Sequence, residues 1–402
     1  MLLQFKFKNF KSFKEETILN MEATSIKDHN NSLIEINNIK TLPVAGIYGA
    51  NASGKSNLFE AFNIMQIYLS GKANDFIKSK IGFIFDSTTY NEQTEFEVCL
   101  YIKELDKEVR YGFSVYENNI LEEWLYTKPF SKTPNIKEKC VFYREDNKKI
   151  ESDVKDYSIK KEIEFVFSLT QKNELMLTNI GKRNVIDYSE IYFYLLMDSK
   201  FINYSYIFDE NIYRNQDLLK YLYEHQNNIN ILSKSLNKID DAIKRIEIKK
   251  KTNEKFEIYY RVDSIHVNTN GEEVEFPFEN ESCGTKKYFG LILYIIDAME
   301  TGKPIFVDEL DSKLHPLLLR YIVRQFHDRD VNKNGGQLIF SAHNIICLNS
   351  KDLRRDEIWF VEKKNQASEL YSLYDFRDSG ARNDLEFGKN YLSGRFGAIP
   401  FE

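Results

Sequence analysis

The eight residues from Gly49 to Ser56, GANASGKS, have the types and spacing of a loop that binds phosphate. They fit the pattern G-x-x-x-x-G-K-[S/T], in which glycines let backbone N–H groups turn inward around an anion. In such a loop, Lys55 reaches the β- and γ-phosphates of a nucleotide and the Ser56 hydroxyl completes a Mg²⁺ shell. An apolar strand over 44–48 and a helix over 56–69 flank the loop, and that helix directs its positive end at the same anion. The sequence therefore predicts a nucleotide-binding loop, against the alternative of a tight turn that carries GKS by chance.

Two further apolar segments end in residues suited to phosphate chemistry. Residues 305–309 (IFVDE) end in two carboxylates, and residues 337–343 (QLIFSAH) end in a histidine. A strand end places Asp308 where it can hold Mg²⁺, and places Glu309 where it can polarise the attacking water. At the same edge of an α/β sheet, His343 can donate to the γ-phosphate or hold that water. Each motif alone has an ordinary structural explanation, but their coexistence with the phosphate loop favours catalysis.

A second anion-binding helix start is predicted at Ser282 and Gly284, in the run ESCGTKK before the apolar helix 288–299. Free N–H groups at a helix start attract anions, and a hydroxyl and a glycine assist them. One nucleotide needs only one phosphate loop, so this second helix start suggests a site that another subunit completes. The alternative is an ordinary Ser/Gly helix cap.

The predicted elements that must position these residues belong to an α/β protein. Period-two alternation over 94–126 predicts antiparallel hairpins, and the texture of 157–251 is helical without persistent heptads, which disfavours a long coiled coil. The densest basic run, 242–251 (AIKRIEIKKK), is interpreted as a solvated helix face. Alternation from Phe256 and the turn Asn270-Gly271 predict another hairpin. The last predicted elements form a mixed or parallel sheet with helices: helix 288–299, strand 304–308, helix 315–327, strand 337–341 and strand 357–361.

Composition excludes several classes of protein. Of 402 residues, 42% are apolar and 29% charged, and 30 Phe with 25 Tyr supply enough apolar area to exclude a wholly disordered chain. No segment approaches the roughly 18 consecutive apolar residues of a spanning helix, and the N-terminus has no secretory pattern. Four scattered cysteines disfavour disulfides and structural zinc, and His315 is interpreted as a helix-start residue rather than a metal ligand. We therefore expect a cytoplasmic protein without a membrane partner, in which Trp124 and Trp359 are core residues. The net charge of −6 predicts no global attraction to nucleic acid.

The order of these motifs resembles the ABC-type ATPase heads of the SMC, RecF and OLD families. It is most similar to the stand-alone prokaryotic AAA-family ATP-binding proteins often encoded in anti-phage defence systems. The resemblance covers 1–125 and 255–402 and is carried by GANASGKSN, DELDSKLHP, IFSAHN and YLSGRFGAIP. It implies a P-loop ABC-ATPase-like head with a mixed sheet, an antiparallel β lobe and a helical insertion. The expected units are an N-terminal ATPase lobe (1–155), the insertion (156–252) and a C-terminal ATPase lobe (253–402).

The resemblance also implies a role for each motif residue. The implied catalytic residues are Lys55 of Walker A, the base Glu309 and the switch histidine His343, and the implied Mg²⁺ ligands are Ser56 and the Walker B residue Asp308. The implied ATP-binding residues include the D-loop residue Asp311, which crosses a dimer interface, and the signature residues Ser282 and Gly284. The full set is Gly49, Asn51, Ser53, Gly54, Lys55, Ser56, Asn57, Ser282, Gly284 and Asp311. The signature ESCGTKK lacks the second glycine and the glutamine of LSGGQ, and Gln93 is the only nearby candidate for a Q-loop glutamine.

The resulting hypothesis is an ATP-hydrolysing switch in which two heads sandwich two ATP molecules, with Mg²⁺. Its dimer would control a separate effector, such as a nuclease or toxin, in anti-phage defence. Only 59 residues follow His343, too few for a nuclease domain of ~100 residues, so no intrinsic nuclease is expected. The alternative is a RecF-like DNA-repair ATPase that binds nucleic acid through lysine-rich surfaces such as 244–251. A nucleoside kinase or a GTPase ranks third, because a kinase would need neither the helix start at Ser282 and Gly284 nor the switch histidine.

Overall fold

The sheets of this protein contain two kinds of strand. In one kind every residue is buried, and in the other buried and more exposed residues alternate. The computed structural model describes residues 1–37, 39–77, 80–130, 136–184, 188–198, 212–312, 314–379 and 386–400. The strands are β1 (Leu2–Lys8), β2 (Thr17–Asn20), β3 (Ile34–Ile36), β4 (Ile39–Thr41), β5 (Val44–Tyr48), β6 (Thr94–Ile102), β7 (Lys107–Tyr116), β8 (Asn119–Pro129), β9 (Lys139–Glu145), β10 (Lys149–Glu151), β11 (Ile243–Thr252), β12 (Ile258–Val267), β13 (Glu273–Pro277), β14 (Pro304–Val307), β15 (Gln337–Ser341), β16 (Ile358–Lys364) and β17 (Ala367–Ser372).

The helices follow the predicted positions around the motifs. They are α1 (Lys55–Leu69), α2 (Ala73–Phe76), α3 (Ser87–Tyr90), α4 (Tyr157–Leu169), α5 (Met176–Lys182), α6 (Ser189–Phe193), α7 (Gln216–Glu224), α8 (Gln226–Asn237), α9 (Cys283–Thr301), α10 (Pro316–His327) and α11 (Phe387–Leu392). His315 caps α10 by accepting a hydrogen bond from the Leu317 N–H through Nδ1, at 3.3 Å, which confirms its interpretation as a helix-start residue. None of the described helices is both long and apolar enough to cross a membrane.

The central sheet has the order β14-β15-β5-β16-β17, with four parallel strands and β17 antiparallel at its edge. Every residue of β5, β14 and β15 is buried, as expected for strands covered on both faces. These predicted strands are confirmed, as is the mixed sheet. The carboxyl ends of β14, β15 and β5 meet at one edge, where the phosphate loop, the acidic pair and the histidine follow them.

An antiparallel lobe lies beside this sheet, with strand order β10-β9-β8-β7-β6-β1-β2. Residues pair in register along β6, β7 and β8, which confirms the hairpins predicted over 94–126. Strand β1, near the N-terminus, joins this lobe by pairing with both β6 and β2.

The prediction of a helix face at 242–251 is wrong. This basic run forms strand β11 instead. Ile246 and Ile248 are buried while Glu247 and Lys249 are half-buried, which is the period of a strand. β11 pairs with β12 through Thr252 and so begins a three-stranded antiparallel sheet, β11-β12-β13. Lysine has a favourable helix propensity, and this favoured the helical prediction. Pairing with β12 overrides that weak propensity.

Two apolar cores cover opposite faces of the central sheet. Ala45 and Ile47 of β5 belong to the core shared with the antiparallel lobe, α1 and α4–α6, whereas Val44 and Tyr48 belong to the core shared with α7–α10 and β11–β12. The segment predicted as an insertion therefore contributes to both cores. Its boundaries at 156 and 252 stay a prediction. Of the two tryptophans, Trp359 is buried and Trp124 is half-buried.

Candidate functional site

The phosphate loop connects β5 to α1 through backbone that only glycine adopts easily. Gly49 has φ +154°, and a Cβ there would lie 2.4 Å from the carbonyl oxygen of Val361. Gly54, which begins α1, has φ +115°, and its Cβ would lie 2.4 Å from Ser368 Oγ. Both glycines are thus required by left-handed backbone and by close neighbours, as the motif predicts.

Two buried serines that the sequence analysis did not identify hold this loop from outside. Ser368 Oγ, on β17, donates to the Ser53 carbonyl oxygen at 2.6 Å and lies 2.8 Å from Ser12 Oγ. Asn57, in the first turn of α1, donates to Ser12 Oγ at 2.7 Å. No motif contains Ser12 or Ser368, and Ser368 lies 315 positions from Ser53, so only the fold brings them to the loop.

Lys55 is buried between the loop and the acidic strand end. Its Nζ donates to the carbonyl oxygens of Gly49 at 2.7 Å and Ala50 at 3.0 Å, which directs the ammonium into the loop. Burial lowers the pKa of Lys55, and the carboxylates of Asp308, Glu309 and Asp311 oppose that shift. The structure therefore brings the loop lysine and the predicted acidic residues into one electrostatic environment.

The turn after β14 is fixed by the last residue of β15. Ser341 Oγ donates to the Asp308 carboxylate and accepts a hydrogen bond from the Glu309 N–H at 2.7 Å. Glu309 has φ +49°, a left-handed conformation that costs a non-glycine residue about 1–2 kcal/mol. Strain of this kind persists where the surroundings hold it in place, and here Ser341 does so. The sequence placed Ser341 in the SAH motif but gave it no role.

Asp311 connects the acidic turn to the histidine. Its Oδ2 accepts hydrogen bonds from the N–H groups of His343 at 2.9 Å and Asn344 at 2.6 Å, while the His343 side chain is exposed. Asp311 therefore fixes the start of the histidine loop within its own chain. The contact across a dimer interface that the resemblance implies for Asp311 stays a prediction.

The predicted signature is an exposed helix start. Ser282 Oγ accepts a hydrogen bond from the Thr285 N–H at 3.0 Å and thereby caps α9, while Ser282 and Gly284 are exposed. A Cβ on Gly284 would have one neighbour within 4 Å, Ser282 Oγ at 3.7 Å. The hydrogen bonds of Ser282 within the described residues go to its own helix, not to the phosphate loop.

The candidate Q-loop residue does not gain a role from the structure. Gln93 donates from Nε2 to Glu95 Oε1 at 3.0 Å, and its carbonyl oxygen accepts from Asn9. Both partners belong to the antiparallel lobe. The Q-loop glutamine therefore stays unassigned.

The residues present fit a magnesium nucleotide. Ser53 Oγ is buried in the loop without a hydrogen-bond partner among the described residues, which leaves an unsatisfied polar group in the loop that also holds the Lys55 ammonium. The Ser56 hydroxyl is exposed, and Asp308 supplies a carboxylate. Mg²⁺ is usually held by one or two protein oxygens together with nucleotide phosphates and water, which matches this sparse set. Within the described part of the chain, no cluster of three or more His, Cys, Asp or Glu residues is suited to binding a metal.

A family model described as "AAA domain, putative AbiEii toxin, Type IV TA system" matches residues 44–349, more than half of the chain. No curated protein matches the sequence significantly. Among solved structures, the SmcHead bound to the C-winged helix domain of ScpA is 13% identical with a TM-score of 0.49, covering 92% of this chain and 97% of that chain. Stu0660 of Streptococcus thermophilus is 11% identical with a TM-score of 0.28, covering 94% of this chain and 81% of that chain.

The matched region begins at β5 and continues past the histidine loop, so it includes the phosphate loop, the helix start at Ser282, the acidic turn and His343. The predicted α/β fold with a mixed sheet and an antiparallel lobe is confirmed. The chain belongs to this AAA family.

Proposed function

We propose that the protein binds and hydrolyses ATP as a dimer, with each nucleotide between two copies of the chain. The network around Ser341 carries this proposal, because it connects the ends of β14 and β15 beside the loop that follows β5. Lys55, Asp308 and Glu309 are thereby brought to one site by three neighbouring strands. Phosphoryl transfer to water requires positioning and charge stabilisation, which such a site can supply.

The described residues have distinct proposed roles. The loop N–H groups, the positive end of α1 and Lys55 bind the phosphates. Ser56 and Asp308 would hold Mg²⁺, which would neutralise charge on the phosphate oxygens. Glu309 accepts the proton of the attacking water, and its turn is held in one conformation by Ser341. His343, fixed at its backbone by Asp311, donates to the γ-phosphate.

A second copy of the chain supplies the signature in this proposal. Ser282 and Gly284 are exposed at the start of the long helix α9, and Gly284 leaves space for a ligand to approach the backbone. A helix start with these properties binds an anion readily. Since its own hydrogen bonds do not reach the phosphate loop of the same chain, it is available to a partner's γ-phosphate.

The dimer is proposed to act as a switch in the cytoplasm. Closure with ATP and separation after hydrolysis would hold and release a separate effector, such as a nuclease or toxin. The family description names a toxin of a toxin–antitoxin system, which supports a defence role with toxicity as its output. No nuclease activity is assigned to this chain itself.

The solution mass of Glu309→Gln, with and without Mg-ATP, tests the proposal. Removing such a base typically slows hydrolysis by ~10²–10⁴-fold, so the closed dimer should accumulate. Lys55→Ala is the matched control: it should neither bind ATP nor change mass. A Glu309→Gln protein that hydrolyses ATP at the wild-type rate would refute the catalytic assignment. A monomer that binds ATP without changing mass would refute the shared site.

A further inference from the structure

The hairpin of β11 and β12 extends beyond its sheet as a two-stranded ribbon. β13 pairs with β12 only from Asp263 to Val267, so five pairs, from Ile248–Val262 to Thr252–Ile258, have no third strand. At about 3.3 Å per residue, this ribbon is roughly 16 Å long. Gln216 of α7 exchanges two hydrogen bonds with the backbone of Tyr260, opposite Lys250, and so holds the middle of the ribbon. The eight residues 252–259 are all exposed.

The turn at the end of the ribbon has the same construction as the next turn along the chain. Asn253 Oδ1 accepts from the N–H groups two and four residues later, and the Asn253 N–H donates to the Glu257 carbonyl oxygen at 3.0 Å. Asn268 makes the corresponding bonds in the β12–β13 turn, where its N–H donates to Glu272 at 2.9 Å. The two turns, N-E-K-F-E and N-T-N-G-E, differ at their three central positions, and the fourth position is Phe256 in one and Gly271 in the other.

Phe256 occupies a position that suits glycine. Its φ is +61°, against +82° for Gly271, and left-handed backbone penalises a bulky side chain. The Phe256 side chain is also 89% exposed, more than any other large apolar side chain of the described residues. Neither packing nor backbone preference accounts for phenylalanine here, so its ring is available for a ligand.

The charges of the ribbon change from its base to its tip. At the base, Lys244 and Lys249 are paired with Glu273 and Glu275, respectively. Toward the tip, which also carries Glu254 and Glu257, Lys250, Lys251 and Lys255 form no ion pair within the described residues. Lysines on an edge strand also prevent aggregation, which accounts for Lys250 and Lys251. That protective role does not account for an exposed phenylalanine at the tip.

We propose that this ribbon binds nucleic acid, with Lys250, Lys251 and Lys255 at phosphates and the Phe256 ring stacked on a base. Exposed aromatic rings among unpaired lysines are suited to a polyanion with flat apolar groups, and a base supplies such a surface. A two-stranded ribbon also fits the major groove, and apolar tips insert between base steps. The inference is independent of the ATPase proposal, and its binding needs no nucleotide.

The test is the binding of a fluorescein-labelled DNA oligonucleotide, single-stranded or duplex, to the full chain without ATP. Phe256→Gly should keep the fold and an unchanged or higher melting temperature, because Gly271 shows that glycine suits this turn. It should weaken binding about fivefold to a hundredfold. The triple change Lys250→Ala, Lys251→Ala, Lys255→Ala should reduce the slope of log K against log salt by roughly 2–3.

Matched controls distinguish the effect of the ribbon residues on DNA binding from a general effect of surface charge or of exposed apolar side chains. Phe165→Ala removes an exposed phenylalanine from α4, and Lys244→Ala removes an ion-paired lysine from the base of β11; both should bind as the wild type does. Phe256-dependent binding to either DNA probe supports the proposal and identifies the preferred form. Wild-type affinity in Phe256→Gly, no DNA binding by the wild type, or Phe256-dependent binding only to phosphatidylserine vesicles would overturn it.

Discussion

Ser368 is the residue outside the phosphate loop whose side chain restrains the loop most directly. Its hydroxyl donates to the Ser53 carbonyl oxygen at 2.6 Å, and that carbonyl lies next to Gly54, where α1 begins. A nucleotide-binding loop must keep its N–H groups oriented before the anion arrives, because reorientation would reduce the affinity. The restraint on this loop thus comes from a serine on another strand as well as from the glycines.

We expect Ser368→Ala to weaken ATP binding about tenfold, because losing one buried hydrogen bond costs about 0.5–1.5 kcal/mol and leaves the Ser53 carbonyl unpaired. Ser372→Ala is the matched control. Ser372 is also a buried serine on β17 and its hydroxyl contacts backbone carbonyls of Arg355 and Ile358, away from the loop. Calorimetric titration with ATP should separate them, and equal affinities for the two variants would contradict the restraint.

At the scale of elements, the geometry of the candidate site depends on how two neighbouring strands end. β14 and β15 pair in parallel register, with Val307 opposite Phe340, so Asp308 and Ser341 follow at the same level. That register lets the Ser341 hydroxyl contact both the Asp308 carboxylate and the Glu309 N–H. The acidic pair is therefore positioned by a strand that is 32 residues away along the chain.

Ser341→Ala should lower the turnover number for ATP about tenfold to a hundredfold while ATP affinity stays close to that of the wild type. The Glu309 N–H would lose its hydrogen-bond acceptor, at a cost of about 1–3 kcal/mol. Because this loss disturbs the position of Glu309, it should raise the activation free energy rather than weaken ATP binding. Steady-state ATPase rates and equilibrium ATP binding, measured on the same preparation, test this. A fall in affinity with an unchanged turnover number would assign Ser341 to binding instead.

A buried charge connects the antiparallel lobe to the helices that follow it. Glu123 of β8 accepts hydrogen bonds from the N–H groups of Met176 at 2.7 Å and Leu177 at 2.9 Å, and so caps the start of α5. It also pairs with Arg144 at 2.8 Å, and both side chains are almost completely buried. Removing one member of such a pair leaves the other charge buried without compensation.

Glu123→Gln should therefore reduce the free energy of unfolding by about 3–5 kcal/mol. Glu122→Gln is the control on the same strand, because Glu122 is only half-buried and should cost less than about 1 kcal/mol. Urea denaturation followed by circular dichroism measures both. Similar midpoints for the two variants would show that the buried pair adds little to stability.

The sequence was most informative where a local pattern decides local structure. The loop with its flanking strand and helix, and the apolar strands before Asp308 and His343, were all predicted, because period and motif suffice there. No local sequence pattern predicts the hydrogen bonds that Ser12 and Ser368 make around the phosphate loop, because their partners are distant in the chain. The same is true of the contacts of Ser341. Strand β11 was mistaken for helix because its lysines obscure the alternation of Ile246 and Ile248.

At the scale of the whole molecule, the central sheet separates two cores, and the phosphate loop follows strand β5, which contributes residues to both. Helix α1 after the loop packs in the first core, where the rings of Phe62 and Phe306 stack at 4.0 Å. Helix α9, which begins at the exposed Ser282, packs in the second core. The chain thus carries the phosphate loop and the helix start at Ser282 on elements that pack in different cores.

Mixing two inactive variants should restore ATPase activity if the site is shared. Lys55→Ala lacks a working phosphate loop, and Gly284→Arg blocks the signature at a position with open space, so the fold should persist. In a mixed dimer, the loop of the second variant meets the intact signature of the first. An equal mixture should regain roughly a quarter of the wild-type rate, since half of the dimers are mixed and each has one complete site. Gly284→Arg must still bind ATP alone. A mixture no more active than the sum of its components, despite proven subunit exchange, would show that each chain completes its own site.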